Sequence, residues 1–341
     1  MTKIRAWAAQ EQGAALEAFE YDPGPLAAED VEIEVEYCGV CHSDLSMLDN
    51  EWGITAYPFV PGHEAIGRVV ALGDVAKTKG LRLGQRVGVG WNVRSCLYCP
   101  ACIRGDVQLC ERIEPTIVGH HGAFAERLRA HWIWSVPMPD SLAAENAGPL
   151  LCGGITVFAP LLQLHVAPTA RVGVFGIGGL GHMALMFANA WGCDVTAFTS
   201  SPGKMEEAKS FGAHHTASSV ATDDYERLAG SFDFIFITAN AKLDWDALIG
   251  LLAPQGRLHF LGAVLEPVPV QVMHLMMGQK AVSASPTGSR AQIDSMLRFA
   301  CHHQVAPKVE HFPMSRVNDA MDHLRAGKAN YRIVLAADFK H

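Results

Sequence analysis

An α/β protein in two parts is what the sequence predicts: a mainly β part, then a doubly wound parallel sheet. Three observations carry this. Residues 31–37 alternate strictly, with Val31, Ile33, Val35 and Tyr37 on one face and Glu32, Glu34 and Glu36 on the other. That is the period of a half-buried strand. After about residue 150 the rhythm changes to short apolar runs separated by helical stretches, the pattern of a parallel sheet with crossover helices. Lastly, Gly176-Ile177-Gly178-Gly179-Leu180-Gly181 follows one such run and opens a helix.

The elements follow in order. Strand-like runs continue through Ile66–Leu72 and Leu83–Val89, broken by Gly62, Gly67, Gly73 and Gly84, so the first part reads as antiparallel β structure with loops. In the second part Arg171–Phe175 is an apolar strand, followed by the glycine turn and an apolar helix through Trp191. Asp194–Thr199 is the next strand, and a polar helix from Lys204 to Phe211 stops at Gly212. Further strands are expected at His215–Ser218, Phe232–Thr238, Arg257–Leu261 and Ala281–Ser285. The tail returns to helix and a final strand near Tyr331–Ala336. The expected division is 1–151 for the β part, 152–287 for the parallel sheet, and 288–341 for a return to the first part.

A length of 341 residues fits about two domains. The chain is half hydrophobic and carries a net charge of −8, which disfavours nucleic acid or an anionic membrane as a general partner. The start, Met1 to Trp7, lacks the apolar core of a signal peptide, and no uninterrupted apolar run is long enough to span a bilayer. Nine cysteines in such a chain fit a reducing cytoplasm with metal-bound thiolates.

Four of those cysteines occupy one loop, 96–110, as Cys96-x2-Cys99-x2-Cys102-x7-Cys110. Proline, glycine and polar residues separate them, so no helix or strand explains the spacing. Four thiolates gathered by tight turns make a closed tetrahedral zinc site, which clips a loop and leaves no coordination position for chemistry. Unconnected buried thiols and a disulfide pair are the rival readings.

The glycines of the 176–181 turn have separate jobs. Gly176 permits the tight turn, Gly178 lets the backbone approach a pyrophosphate, and Gly181 lets helix and strand pack closely. The helix N-terminus offers N–H groups to the phosphates. The following strand selects the dinucleotide. A site for NAD carries an acidic residue at that strand's end to bind the ribose 2′-hydroxyl. Here it ends Thr199-Ser200-Ser201-Pro202-Gly203-Lys204 with no carboxylate, and Asp194 stands too early. Hydroxyls with Lys204 suit a 2′-phosphate, and so NADP(H); the plain alternative is a serine-rich turn with a solvated lysine.

Pro61-Gly62-His63-Glu64 gives no folding reason for its histidine and glutamate. Before it stands Gly39-Val40-Cys41-His42-Ser43-Asp44, and after it Gly148-Pro149-Leu150-Leu151-Cys152-Gly153-Gly154-Ile155-Thr156. With the four-cysteine loop, the glycine turn and Thr199-Ser200-Ser201, these motifs run in the order of a known family. The chain resembles the zinc-containing medium-chain alcohol dehydrogenases, in the cinnamyl alcohol dehydrogenase branch with its bacterial NADPH-dependent aldehyde reductases.

That resemblance covers essentially the whole chain and implies a GroES-like catalytic domain beside a Rossmann domain. It implies Cys41, His63 and Cys152 as ligands of a catalytic zinc, a grouping taken from the family and not from the spacing. Two thiolates and a neutral imidazole balance Zn2+ in charge and leave one position open. It implies two zinc ions per chain and NADP(H). Glu64 is expected as an outer or transient fourth ligand, Asp44 as the acceptor that orients His63, and Ser43 as the proton relay through the nicotinamide ribose. Thr156, Leu180, Thr238 and the backbone near Gly262 and Ser285 are expected to line the cofactor, with Gly176, Gly178, Gly179 and Gly181 at its phosphates and Thr199, Ser200, Ser201 and Lys204 at the 2′-phosphate. The implied reaction is reversible reduction of aldehydes to primary alcohols, with zinc polarising the carbonyl and NADPH giving the hydride. A homodimer acting on a small aldehyde or alcohol is expected.

Two departures stand out. Many relatives have a histidine where this chain has Ser46, so the relay ends in water or uses His42. Pro286 stands where plant lignin enzymes often have a large aromatic, which favours a broad aliphatic and aromatic substrate range. Trp52 and Trp91 are candidate pocket walls or core. Cys38, Cys193 and Cys301 read as buried thiols. The pairs His120-His121, His214-His215 and His302-His303 poorly suit one metal, because neighbours in a strand point oppositely. Val272–Met277 reads as a dimer surface or a core helix. An NAD-linked alcohol dehydrogenase and a nucleotide-binding protein without catalysis are the alternative functions.

Overall fold

A computed structural model describes residues 3–339. Two units emerge. The first runs to Ile155 and takes in Thr287–Cys301 and the chain from Ala306 onward; the second is Thr156–Pro286 with His302–Val305. The first break thus lies after Ile155 and not after residue 151, which places Cys152 with the first unit.

In the first unit the strands are β1 (Ile4–Ala8), β2 (Glu17–Tyr21), β3 (Asp30–Val40), β4 (Ala65–Leu72), β5 (Arg86–Val89), β6 (Asn92–Arg94), β7 (Glu114–Pro115), β8 (Arg127–His131) and β9 (Val136–Pro137). The main sheet of this unit pairs β3 antiparallel with both β4 and β8. The alternation over 31–37 forms a strand, but its acidic face is not simply solvated. Glu32 is buried because Arg127 and Arg129 of β8 clamp its two oxygens at 2.9 and 2.8 Å. After an irregularity between Val35 and Tyr37, residues Cys38, Gly39 and Val40 are all buried and deliver the chain to Cys41.

The second unit holds β10 (Arg171–Phe175), β11 (Asp194–Thr199), β12 (His215–Ser218), β13 (Phe232–Ile237), β14 (Leu252–Phe260) and β15 (Ala281–Ala284). All neighbours are parallel, in the order β12-β11-β10-β13-β14-β15. This is the doubly wound Rossmann order 3-2-1-4-5-6. The inner strands β10, β11 and β13 are largely buried, mostly apolar runs, as both faces are covered; Phe175 and Phe198 stack at 4.1 Å in the core. β14 begins five residues before the expected Arg257, because Pro254 and Gly256 hide its start in the sequence and fall at an irregularity in pairing with β13.

The last strands, β16 (Val309–Pro313) and β17 (Arg332–Ala336), rejoin the first unit, where β17 pairs antiparallel with β3, Ile333 opposite Val40. Among the described residues no helix is long and apolar enough to cross a membrane. The helix Val272–Met276 is not a core helix in this chain: Val272, Met273, Met276 and Met277 are all well exposed. Cys301 is only half-buried, beside the Ser141 hydroxyl, and so differs from the buried Cys38 and Cys193.

Candidate active site

The first unit brings Cys41, His63, Glu64 and Cys152 together, with one ligand atom of each within 4.8 Å of the others. Cys41 ends the run after β3 and precedes the helix His42–Leu48. Asp44, in that helix, accepts from the Cys41 N–H at 2.9 Å and from the Gly62 N–H at 2.8 Å, while its Oδ1 lies 3.0 Å from His63 Nδ1. Asp44 and His63 are completely buried. A carboxylate at Nδ1 fixes the proton there and turns Nε2 toward the sulfurs. Nε2 is 3.3 Å from Cys152 Sγ, and the two sulfurs are 3.9 Å apart.

This set fits a zinc ion. With Zn–S bonds of about 2.3 Å, two thiolates on a tetrahedron lie about 3.8 Å apart. The Cys41 thiol is held well below its usual range by the hydrogen bond from Cys152 and by the charge of Arg332, whereas Cys152 is pushed up by the same hydrogen bond and by burial. Burial disfavours a charged His63, but Asp44 outweighs it and holds that imidazole's pKa well above the ordinary value. A cation at Nε2 competes with that proton.

Arg332, which sequence reasoning missed, and Gly39, read there only as part of a motif, complete the cluster. Arg332, at the start of β17, forms an ion pair with Glu64 Oε1 and lies 3.9 Å from Cys41 Sγ. Burial raises the Glu64 pKa, and Arg332 opposes this. The other carboxylate oxygen, Oε2, is buried without a hydrogen-bond partner, which suits an occasional metal ligand. Gly39 makes room for it: a Cβ on Gly39 would stand 1.9 Å from that oxygen. A lone arginine beside an otherwise apolar terminal strand was the available signal for Arg332.

Ser43 is half-buried, its Oγ 3.8 Å from Cys41 Sγ. Ser46 is buried and His42 exposed. The Trp91 ring packs edge-on to His63 at 5.0 Å, and Trp52 packs edge-on to Trp91 at 5.9 Å, so the two tryptophans lie beside the cluster.

Cys96, Cys99, Cys102 and Cys110 form a second group of the same tightness. Backbone amides serve their sulfurs: Cys99 N–H reaches Cys96 Sγ, and Cys96 and Arg112 N–H reach Cys110 Sγ, each at 3.3 Å. Amide hydrogen bonds from its loop bring the Cys99 thiol down to about 6. Cys99 and Cys110 sulfurs are 4.0 Å apart, again near a tetrahedral edge. Among the described residues these two groups are the ones with metal-ligand spacing. His214 and His215 do not point apart as expected; both approach Asp194, at 3.8 and 3.1 Å.

In the second unit, Gly176 has a φ of +92°, and a Cβ on Gly181 would meet the Gly176 carbonyl at 1.8 Å, so turn and helix close tightly. A Cβ on Gly178 would meet nothing within 4 Å, so the turn is open on that side. Thr238 ties the turn by donating toward the Phe175 and Gly176 carbonyls at 2.9 and 2.6 Å. Gly179, Leu180 and Gly262 are half-buried around this edge. Thr199 is buried and accepts the Ser201 N–H at 3.1 Å; Ser200, Ser201 and Lys204 are exposed, with Lys204 Nζ 3.2 Å from the Ile177 carbonyl. Thr156 reaches the Pro286 carbonyl at 3.4 Å, and Ser285 Oγ bonds His259.

Comparison with known proteins agrees with both units. Residues 27–140 match the alcohol dehydrogenase GroES-like domain, and residues 179–301 match the zinc-binding dehydrogenase model. The chain is 51% identical to an aldehyde reductase of Synechocystis sp. over 98% of each chain, and 36% identical to a probable cinnamyl alcohol dehydrogenase of Arabidopsis thaliana over 96% of this chain and 93% of that one. Among solved structures, a cinnamyl alcohol dehydrogenase of Sorghum bicolor superposes with a TM-score of 0.94 at 33% identity, covering all of both chains. One of Helicobacter pylori, complexed with NADP(H), gives 0.88 at 28% identity over 98% of each. The chain belongs to the zinc-binding medium-chain alcohol dehydrogenases, among the aldehyde reductases and cinnamyl alcohol dehydrogenase-like enzymes.

Proposed function

We propose that the protein is a zinc- and NADPH-dependent aldehyde reductase that forms primary alcohols, reversibly, from a broad aliphatic and aromatic range. The observation that carries this reading is the set Cys41, His63 and Cys152, with the buried His63 oriented by Asp44 and the Ser43 hydroxyl beside Cys41. When bound, zinc supplies a Lewis acid and NADPH a hydride. Cys41, Cys152 and His63 Nε2 hold the cation, with Asp44 keeping the His63 proton on Nδ1. The Ser43 hydroxyl delivers the proton to the reduced carbonyl oxygen and refills from solvent, with Ser46 or His42 further along.

A second zinc belongs to Cys96, Cys99, Cys102 and Cys110, giving two per chain. At the other end, Thr199, Ser200, Ser201 and Lys204 hold the 2′-phosphate of NADPH; the Helicobacter relative's complex with NADP(H) supports the same choice. The exposed apolar surface of Val272, Met273, Met276 and Met277 pairs two copies into a homodimer. Nine cysteines outside any disulfide, six of them in the two proposed metal sites, suit the cytoplasm.

An aldehyde panel with NADPH and with NADH, followed by absorbance of the reduced nicotinamide, tests the reading. NADPH is expected to win in kcat/KM by orders of magnitude, since each charge-assisted hydrogen bond contributes about 1.5–3 kcal/mol. Thr199→Asp reverses the preference, because a carboxylate repels phosphate and accepts from a ribose hydroxyl. Equal use of NADH by the wild type would make this an NAD-linked enzyme; no turnover of any aldehyde would leave a nucleotide-binding protein.

A further inference from the structure

His259 lies near the carboxyl end of β14, only 1% exposed, in a sheet whose core positions are mostly apolar, with Thr196 and Thr199 of β11 its other buried polar side chains among the described residues. Both ring nitrogens are engaged. Nδ1 is 2.9 Å from Ser283 Oγ and Nε2 is 3.0 Å from Ser285 Oγ, while the Phe236 ring packs edge-on at 6.2 Å. Ser283 is directly opposite on β15, and Ser285 follows two residues later on the same face. Packing alone would be served by an aliphatic residue facing two alanines. An imidazole bridging two hydroxyls holds them in fixed places instead.

The ring is neutral at ordinary pH, because burial and the charge of Arg257 bring its pKa down to about 4. A neutral imidazole has one N–H and one lone pair. One serine therefore donates to the ring and the other accepts from it, so the chain Ser283–His259–Ser285 has a single direction.

Ser285 stands just past the end of β15, on the carboxyl edge where ligands of such sheets bind. Thr199, at the proposed 2′-phosphate, ends β11, four strands away. At 4.7–4.9 Å per strand this is roughly 19 Å. A dinucleotide with its adenine half at Thr199 extends its nicotinamide half toward Ser285. The next residue, Pro286, is held from the other side by the Thr156 hydroxyl. We propose that His259 is a positioning residue for the nicotinamide half of the cofactor site, acting through the Ser285 hydroxyl. The inference rests on the dinucleotide site proposed above.

The test measures binding to the full-length protein, without aldehyde, of two probes: NADPH, and 2′,5′-ADP, which lacks the nicotinamide half. His259→Phe keeps a ring against Phe236 but removes both hydrogen bonds; His259→Gln retains a donor and an acceptor. In His259→Phe the Kd of NADPH is expected to rise about three- to tenfold, with that of 2′,5′-ADP unchanged and His259→Gln recovering part of the loss. Ser285→Ala should match His259→Phe, and the double variant should be no worse than either, because both break one chain. If His259→Phe does not fold, Ser285→Ala with the two probes carries the same test. Unchanged NADPH binding, or equal weakening of both probes, overturns the positioning role. Wild-type protein that binds neither probe overturns the cofactor reading itself, and the inference with it.

Discussion

The two thiolate clusters of the first unit differ in what holds their sulfurs. In the 96–110 loop the partners are backbone amides, Cys96 N–H, Cys99 N–H and Arg112 N–H, supplied by turns that the cysteines themselves occupy. Around Cys41 the neighbours are ionisable side chains: Asp44 three residues on, and His63, Glu64 and Arg332 from distant segments. The loop closes four sulfurs on one another. The Cys41 set gathers only two sulfurs and an imidazole, and sets beside them a carboxylate with a free oxygen and a hydroxyl. Backbone amides hold a fixed charge pattern; ionisable side chains let a site take up and release protons. The proposed clip would use the first, and the proposed catalytic site the second.

Breaking one sulfur in each cluster gives the largest contrast. Cys41→Ser should abolish turnover while the thermal midpoint stays near the wild type. Cys99→Ser should lower the midpoint first, because metal binding in a closed site is folding free energy. Metal analysis should find two zinc ions per wild-type chain and fewer in each variant. The reverse pattern of stability and activity would mean that the roles are exchanged.

Ser43→Ala should lower kcat about 10²–10⁴-fold, the usual contribution of a positioned proton donor. Ser46→Ala should cost less, since its buried side chain lies one step beyond. Equal mild losses in steady-state kinetics would show that water protonates the product directly.

Arg332→Met should destabilise the fold by about 3–5 kcal/mol, the cost of stranding one partner of a buried ion pair. Both side chains are nearly inaccessible, so solvent offers little screening. Arg332→Met with Glu64→Gln should regain much of that loss in urea titrations. If the single variant is as stable as the wild type, Glu64 is neutral in the fold and the pair is not an ion pair. The corresponding change at the loop, Arg112→Ala, keeps the amide that serves Cys110 and should leave zinc in place.

The same contrast explains what could be read from residues alone. The loop was legible because its ligands are neighbours and turns dictate their meeting. Strands such as Arg171–Phe175 and Asp194–Thr199 were legible because a parallel sheet buries both faces and leaves a mostly apolar run. Cys41, His63 and Cys152 could be grouped only by family likeness. Antiparallel pairing of β17 with β3, residues some 300 apart, brings Arg332 to Cys41, and no local pattern encodes that. The buried Glu32 escaped for the same reason: its two arginines come from β8. His259 escaped because a histidine in an apolar strand looks like any satisfied core histidine until its two serine partners are seen.

Asp44→Asn is the smallest of these changes in atoms and isolates the side-chain support. Three hydrogens converge on the carboxylate: the Cys41 and Gly62 amides and, in the orientation zinc requires, His63 Nδ1–H. Asparagine offers one acceptor oxygen and an NH2 group. If the NH2 faces His63, the imidazole must accept there and carry its proton on Nε2, where the metal belongs. If it faces either amide, two donors oppose one another. The expected result is a 10–100-fold loss of zinc affinity at this site, the usual effect of removing a histidine's orienting carboxylate. It should be read by competition with a chromogenic chelator. Zinc at this site should therefore pass to the chelator at a lower chelator concentration, while the loop's zinc leaves as in the wild type. Both ions leaving together, at the wild-type chelator concentration, would show that Asp44 only caps its helix and that His63 is oriented by its packing against Trp91.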